Sequence, residues 1–289
     1  MKKILILVSS LLFFFASCDK IEPSEDGTYT SYSGAIGTWE DCPALSDHTQ
    51  RVWIEKYTGP KCPNCPDADV AINNLAEQPA YQNKLVVTAI HATDAFGSPI
   101  FSTSPDLRTP DGESWSNTFF GSAASFPAAL LNRQQNGNTL DITQDFSALS
   151  GKVDAILSQE ASVAIDVNSN YDNQAGKVKI TASVELLSEI SDDITLTVLL
   201  IEDSLVAAQK MPDYTIDTNH VHNHVLRGLI TDKWGIDIDI QKSLGSARKV
   251  TLFTPLQDNC ILNNCHIVAF VSDKSSRTIY NVAACRIEQ

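Results

Sequence analysis

Basic residues are scarce in this chain. Lysine and arginine number 21 against 35 aspartates and glutamates, which leaves a formal net charge of -14 at pH 7. So acidic a protein repels the phosphate backbone, which argues against a nucleic-acid-binding protein. The sequence also lacks a glycine-rich phosphate loop, a G-x-S-x-G turn and an H-E-x-x-H helix. These absences exclude the common templates of nucleotide, ester and zinc-peptidase chemistry, and no cofactor is predicted.

Long apolar runs are also missing, except at the N-terminus. There Lys2 and Lys3 precede an apolar stretch from Ile4 to Phe15. About a dozen apolar residues are too few to cross a bilayer, and a basic start followed by such a stretch is typical of a signal peptide. We therefore predict that this segment is a targeting signal.

The residues that follow the apolar stretch are similar to a bacterial lipobox. Ala16 and Ser17 stand directly before Cys18, with Phe15 in the place of the usual leucine. The prediction is a lipoprotein signal peptide at residues 1–17, cleavage before Cys18 and lipidation of its thiol, so that only a lipid anchor contacts the membrane. An ordinary signal peptide with an incidental cysteine is the alternative. Cleavage would remove two lysines and no acids, shifting the net charge from -14 to -16.

Six further cysteines remain in the predicted mature chain. An even number of cysteines in an exported protein indicates disulfides, although the sequence leaves their pairing open. Cys260 and Cys265 are close enough in sequence to close a short loop, and Cys42 and Cys285 would then pair or stay as thiols. The six are Cys42, Cys62, Cys65, Cys260, Cys265 and Cys285.

The hydrophobic pattern divides the rest of the chain into three parts. Residues 18–48 are polar and acidic, as expected of a lipidated tether. Residues 49–160 alternate strand and helix patterns, which predicts an α/β domain. Residues 161–289 hold about seven short strand patterns separated by turn residues, which predicts an all-β immunoglobulin-like sandwich.

The first strand, helix and strand of the α/β region form a β-α-β unit. Val52 to Tyr57 is predicted to be a buried strand and Pro66 to Ala76 a helix with an apolar face. Lys84 to His91 is predicted to be a second strand, parallel to the first. The loop between the first strand and the helix therefore holds a Cys-x-x-Cys motif at a helix N-terminus.

Two cysteines in this position point to thiol chemistry. The helix N-terminus stabilises a thiolate, so Cys62 is the predicted attacking thiol and Cys65 the resolving thiol. Lys61 favours the Cys62 thiolate, whereas the acids of the first helical turn oppose it. A structural disulfide and half of a zinc site remain the alternatives.

A strand that ends near an acid, followed by a loop, Cys-x-x-Cys and a helix, resembles the thioredoxin fold. The resemblance implies a proline, usually cis, beside the disulfide, and Pro127 has the matching position. It also implies a buried carboxylate that accepts a proton from the resolving thiol, and Glu55 fits that role. An ordinary loop proline and a partly solvated strand-end acid are the respective alternatives. The Pro63-Asn64 dipeptide departs from the usual Gly-Pro.

The mature chain also resembles a narrower group, the Bacteroidetes twenty-eight-kilodalton outer-membrane lipoprotein family. The resemblance rests on the lipobox, on the motif from Glu55 to Pro66, and on the stretch from His222 to Arg227. It implies an outer-membrane location with a lipid anchor, a thioredoxin-like domain at 49–160 and a β-rich C-terminal domain. Whether the protein faces the periplasm or the cell surface stays open, and the resemblance implies no agreed activity.

Three alternating histidines, His220, His222 and His224, are a weak candidate metal site. On a strand they would point to one face, and imidazole is a ligand for zinc or copper. Their apolar neighbours favour a packed strand edge instead.

Two functions from different classes follow. The first is thiol-disulfide exchange with exported protein thiols or disulfides through Cys62 and Cys65, with Pro127 and Glu55 in supporting roles. The second is a non-catalytic surface or outer-membrane interaction protein that binds a surface ligand, in which the disulfide is structural. Exposure of the Cys62 sulfur separates them, because an exchange catalyst needs an accessible attacking sulfur.

Overall fold

The computed structural model describes residues 35–256 and 259–289, which belong to one compact unit. The predicted signal peptide and Cys18 lie outside the described residues. Three α-helices are present in the described part: α1 Cys65–Ala76, α2 Pro110–Phe120 and α3 Leu149–Leu157. The strands are β1 Ala35–Ile36, β2 Glu40–Asp41, β3 Val52–Thr58, β4 Leu85–His91, β5 Ala128–Asn136, β6 Thr139–Thr143, β7 Val163–Asp172, β8 Lys177–Leu186, β9 Ile194–Glu202, β10 Leu205–Lys210, β11 Ile216–His222, β12 Val225–Leu229, β13 Ile236–Asp237, β14 Ala247–Pro255, β15 Cys265–Asp273 and β16 Ile279–Glu288.

Fourteen of these strands form one mixed sheet. Along the sheet the order is β1-β14-β8-β7-β16-β15-β9-β12-β4-β3-β5-β6, with β13 on β9 and β2 on β14. The pairs β3–β4, β4–β12 and β7–β16 are parallel, and the other pairs are antiparallel. The remaining strands, β10 and β11, form a separate two-stranded hairpin.

Strand β3 is buried along its whole length because both of its faces are covered. Side chains alternate across a strand, so Trp53 and Tyr57 lie in one apolar cluster, with α2 and the strands β9, β15 and β16. Val52 and Ile54 lie in another cluster on the opposite face, against α1 and α3. This packing explains why the strand is buried along its whole length even though it contains Glu55 and Lys56.

The predicted fold class is wrong. We expected an α/β thioredoxin-like domain followed by an all-β immunoglobulin-like sandwich, but the structure is mostly β with one large mixed sheet. The finding that overturns the prediction is β12, which pairs with β4 at Val225 and Ala89 and with β9 on its other edge. Strand β4 belongs to the first predicted region and β12 to the second, so one sheet runs through both.

The physical reason lies in the strand edges. Hydrophobic alternation shows which face of a strand is buried, but it carries no information about which strand satisfies the backbone groups along each edge. The local elements themselves are as predicted: β3, α1 and β4 match the predicted strand, helix and strand within two residues. The proposed boundary at 160 and 161 falls between α3 and β7.

The last part of the predicted tether is attached to the sheet. Within residues 35–48, β1 and β2 both pair with β14, and the backbone N–H of Leu45 donates to Glu185 Oε2 at 2.6 Å. This segment therefore follows one edge of the sheet.

Candidate functional site

The Cys-x-x-Cys motif lies where the sequence predicts it, between β3 and α1. Cys62 and Cys65 are joined in a disulfide with their Cα atoms 5.4 Å apart. Pro66 occupies the first turn of α1, where its missing N–H costs no hydrogen bond. The disulfide thus closes the N-terminal turn of the helix.

The disulfide is fully buried. Cys62 is 0% exposed and Cys65 is 1% exposed, and both lie in the apolar cluster that contains Trp53 and Tyr57. An incoming thiolate therefore has no access to either sulfur in this conformation.

Two segments cover the loop that carries Cys62. From the β10–β11 hairpin, Gln209 Nε2 donates to the Cys62 carbonyl at 3.0 Å, and the Lys210 N–H donates to the Pro60 carbonyl at 2.8 Å. From the short π-helical turn Thr93–Gly97, the carbonyl of Phe96 accepts from the Lys61 N–H at 2.9 Å.

Close packing of the turn at Thr93–Gly97 against the loop that carries Cys62 depends on a glycine. A Cβ at Gly59 would stand 2.2 Å from the Phe96 carbonyl oxygen, which is far inside van der Waals contact.

The predicted proline lies beside this site. The peptide bond between Phe126 and Pro127 is cis, and Phe126 belongs to the same apolar cluster as the two cysteines. Its ring lies 5.1 Å from that of Phe96 and 6.0 Å from that of Tyr57, measured between centroids. Pro127 therefore directly precedes β5, next to the cover of the disulfide, and its predicted role in placing a substrate stays a prediction.

Glu55 is buried, as the sequence suggests, but its carboxylate is occupied by other partners. Arg133 donates to both oxygens, through Nε to Oε2 at 2.8 Å and through a terminal nitrogen to Oε1 at 2.9 Å. The Tyr57 hydroxyl donates to Oε1 at 2.5 Å. Burial, and secondly the Glu55 charge, raise the pKa of Tyr57 well above its usual value. The proton-relay role of Glu55 stays a prediction, and the contacts described here are those of a buried ion pair.

The three alternating histidines line one pocket but have different partners. His220 and His222 have ring centroids 4.8 Å apart, on β11. His224 has a positive φ of 58°, and its Nδ1 lies 3.1 Å from a carboxylate oxygen of Asp203. The regular alternation of the predicted triplet therefore ends before His224.

A histidine that sequence reasoning missed lies beside the pair formed by His220 and His222. His91, the last residue of β4, has its ring 5.3 Å from that of His222. His91 is 2% exposed, and among the described residues neither of its ring nitrogens has a hydrogen-bond partner. Its position at the end of the predicted parallel strand was the available signal, because side chains there gather at one edge of a sheet.

These three imidazoles and that of His224 line a pocket of about 240 Å³, together with Lys56 and Asp69. Burial lowers the pKa of His91 well below its usual value, and the neighbouring His222 and Lys56 charges add to this. Burial, and next His220, lower the pKa of His222 to about 4. Both rings are therefore neutral at pH 7. Lys56 ion-pairs with Asp69 at the pocket wall.

Among residues 35–256 and 259–289, no helix combines the length and the apolar character needed to cross a membrane.

Comparison with known proteins places the chain in an outer-membrane context. A family model described as Outer membrane protein Omp28 matches residues 115–289. The solved structure of HBP35 of Porphyromonas gingivalis aligns with a TM-score of 0.66 and 14% identity, over 84% of this chain and 77% of that chain. This likeness shows a shared fold.

A crystallised domain of the outer membrane lipoprotein Omp28 from Porphyromonas gingivalis aligns over 44% of this chain and 89% of that chain, with 22% identity and a TM-score of 0.33. No curated protein matches the chain.

Proposed function

Because this chain belongs to the Omp28 family of outer-membrane proteins, we propose that it is an interaction protein in which the Cys62–Cys65 disulfide is a structural cross-link. It is located at the outer membrane and held there by a lipid anchor. The partner we propose is another exported protein.

The burial of Cys62 carries the proposal. Thiol-disulfide exchange begins when a thiolate reaches a sulfur, so the attacking cysteine of a catalyst must be accessible. Cys62 is 0% exposed beneath the β10–β11 hairpin and the turn at Thr93–Gly97. A buried disulfide that closes the first turn of a helix supports a structural role.

The hairpin that covers the disulfide supplies a binding surface, which we call the hairpin face. It consists of Val206, Tyr214, Ile216 and Val221, which are 54%, 69%, 39% and 49% exposed. Val206 and Val221 lie directly opposite each other across the two strands. Exposed apolar side chains gathered on one element are typical of protein interaction sites.

The net charge of the chain limits the class of protein that can be its partner. With a net charge of -14, this protein attracts partners with basic surfaces and repels acidic ones. We therefore propose a partner whose apolar patch is surrounded by lysine or arginine.

Photo-crosslinking of the mature lipoprotein in intact cells tests the hairpin face. A photoreactive amino acid at position 206 is expected to yield an adduct that mass spectrometry identifies as one exported protein with a basic surface. The matched control is position 244, where Leu244 is 67% exposed outside the hairpin. Val221→Ser should weaken the adduct at position 206. Equal adducts from both positions, or an adduct insensitive to Val221→Ser, would contradict the hairpin face.

A second candidate is thiol-disulfide exchange through Cys62. The observation in its favour is that β10 and β11 form a sheet of their own, bonded to the Cys62 loop through Gln209 and Lys210. Movement of this hairpin would uncover Cys62. Cys62 would then be the attacking thiol and Cys65 the resolving thiol.

A redox titration of the mature lipoprotein, with alkylation and peptide mass spectrometry, separates the two candidates. A pair that stays oxidised below about -300 mV is a structural cross-link. A reversible two-electron transition between about -120 and -270 mV would instead support exchange.

A further inference from the structure

A second pair of cysteines lies on the opposite side of β12 from the His91 pocket. Cys265 is the first residue of β15 and pairs in register with Glu202, the last residue of β9. Cys260 lies on the loop before β15. The two sulfurs and a carboxylate oxygen of Glu202 all lie within 4.8 Å of one another. Both cysteines are present as thiols.

The cluster is built into the fold. Glu202 is 0% exposed; its Oε1 accepts from the Ile261 N–H at 2.7 Å, and its Oε2 lies 3.2 Å from Arg227 Nε. The carboxylate therefore holds the loop that carries Cys260 against the end of β9. The loop position next to Cys260 is open to solvent, since Ile261 is 59% exposed.

We propose that Cys260 and Cys265 are a redox-active thiol pair that reacts with a disulfide arriving from solvent, with Cys260 as the attacking thiol and Cys265 as the resolving thiol. The inference is independent of the proposed interaction function and concerns a different part of the molecule.

The asymmetry of the pair assigns the two roles. Cys265 is 1% exposed, whereas Cys260 is only partly buried on an exposed loop. The neighbouring Cys265 sulfur, and next Arg227, lower the pKa of Cys260. The Cys260 sulfur, followed by burial, raises the pKa of Cys265, whose thiol donates to the Ile261 carbonyl at 3.3 Å. One thiolate at the accessible position and one thiol beneath it is the arrangement that exchange requires.

The reaction balances in two steps. The Cys260 thiolate attacks one sulfur of the incoming disulfide, forms a mixed disulfide and releases the other half as a thiolate. Cys265 then gives its proton to Glu202 and attacks Cys260 Sγ, which releases the second half as a thiolate. In sum, the Cys260 thiolate and the Cys265 thiol are oxidised to one disulfide. The incoming disulfide is reduced to one thiolate and one thiol, and the thiol receives through Glu202 the proton that Cys265 gave up.

The other cysteines of the described residues lack the features that make Cys260 reactive. The Cys62–Cys65 disulfide is buried. Burial raises the pKa of Cys285, whose sulfur lies 3.2 Å from the Ser169 hydroxyl, and burial also raises the pKa of Cys42. Cys42 and Cys285 therefore serve as internal controls for thiol reactivity.

The test uses the reduced mature lipoprotein in detergent, with glutathione disulfide as the probe, acid quenching, alkylation and peptide mass spectrometry. We expect a transient glutathione adduct on Cys260, followed by a Cys260–Cys265 disulfide, at a rate at least tenfold above adduct formation on Cys42 or Cys285. Cys265→Ser should trap the adduct on Cys260. Glu202→Gln should not slow the first step, because the Glu202 charge opposes the Cys260 thiolate, and it should slow the second, a split that a purely structural role would not produce.

Mapping the adduct in the unmodified protein needs no variant, so the test survives a Cys265→Ser variant that fails to fold. An adduct that forms first on Cys265, equal reaction at Cys42 and Cys285, or the absence of a Cys260–Cys265 disulfide would overturn the proposal. So would one zinc ion per chain that is lost in Cys260→Ser, because the cluster would then be a metal site. Repeating the reaction with a folded disulfide-bonded protein distinguishes a protein source of the disulfide from a small-molecule source.

Discussion

Replacing Arg133 by methionine is expected to lower the free energy of unfolding by about 3 to 5 kcal/mol. Arg133 and Glu55 are 2% and 0% exposed and are joined by two hydrogen bonds of 2.8 and 2.9 Å. Removing one partner of a buried ion pair leaves the other charge uncompensated, which carries a cost of this size. The Tyr57 hydroxyl still donates to Glu55 and places the expected value near the lower end.

Substitution of the other partner, Glu55→Gln, should lower the free energy of unfolding by less. The Arg133 guanidinium lies 4.6 to 5.9 Å from the centroids of five aromatic rings, and each such contact contributes about 0.5 to 1 kcal/mol or more when it is desolvated. The cation therefore keeps favourable contacts after its carboxylate is gone, whereas the carboxylate of Glu55 keeps only a hydroxyl. We expect a loss of about 2 kcal/mol for Glu55→Gln.

The double variant, Glu55→Gln with Arg133→Met, completes the cycle. It buries no charge at either position, so it should be more stable than Arg133→Met alone, which requires a coupling of about 3 kcal/mol, larger than the cost of Glu55→Gln. Urea unfolding followed by tryptophan fluorescence is a suitable assay, because Trp53 and Trp115 both face Arg133.

The matched control for this cycle is Arg108→Met. Arg108 pairs with Asp94 and Asp106, and both carboxylates are far more exposed than that of Glu55. We expect a loss of about 1 kcal/mol or less. The reasoning is refuted if Arg133→Met is no more costly than this control, or if the double variant is less stable than both single variants.

Three further outcomes follow from the site. Acidification from about pH 6.5 to about pH 4 should destabilise the fold, because the lowered pKa values of His91 and His222 make the unfolded chain bind more protons in that window; His222→Gln should flatten this dependence of the urea midpoint. Gly59→Ala should lower stability by about 1 to 3 kcal/mol through its clash with the Phe96 carbonyl, whereas Gly151→Ala, in an open position of α3, should raise it by about 0.5 to 1 kcal/mol in the same assay. Cys62→Ser should cost about 2 kcal/mol, the chain-entropy value for so short a loop, and an unchanged midpoint would argue against a structural cross-link.

Much of the local structure and the location of this protein could be predicted from its sequence. The strand at Val52 to Tyr57, the helix after the Cys-x-x-Cys motif and the strand that ends at His91 are all present. These elements depend on side-chain periodicity and on turn residues within a few positions, which a sequence states directly. The family and the outer-membrane location were also predictable, because short motifs carry them.

The histidines show where such reasoning ends. Alternation on a strand predicts one shared face for His220, His222 and His224, but the positive φ of His224 ends the alternation and directs its ring to Asp203. His91 joins the other two only because β4 and β11 meet in space. Contacts between residues more than a hundred positions apart leave no local pattern in a sequence.

By itself the sequence determined the disulfide motif at the start of α1, the burial of β3 and the acidic, exported character of the chain, since each depends on residue type and short-range spacing. Only the tertiary structure decided that one sheet passes through both expected regions, that Glu55 pairs with Arg133, and that a hairpin covers Cys62. Backbone hydrogen bonds at a strand edge are chemically alike in every strand, so the choice of neighbour follows from how all apolar faces pack together. That choice places the cover over the disulfide and the second thiol pair beside Glu202.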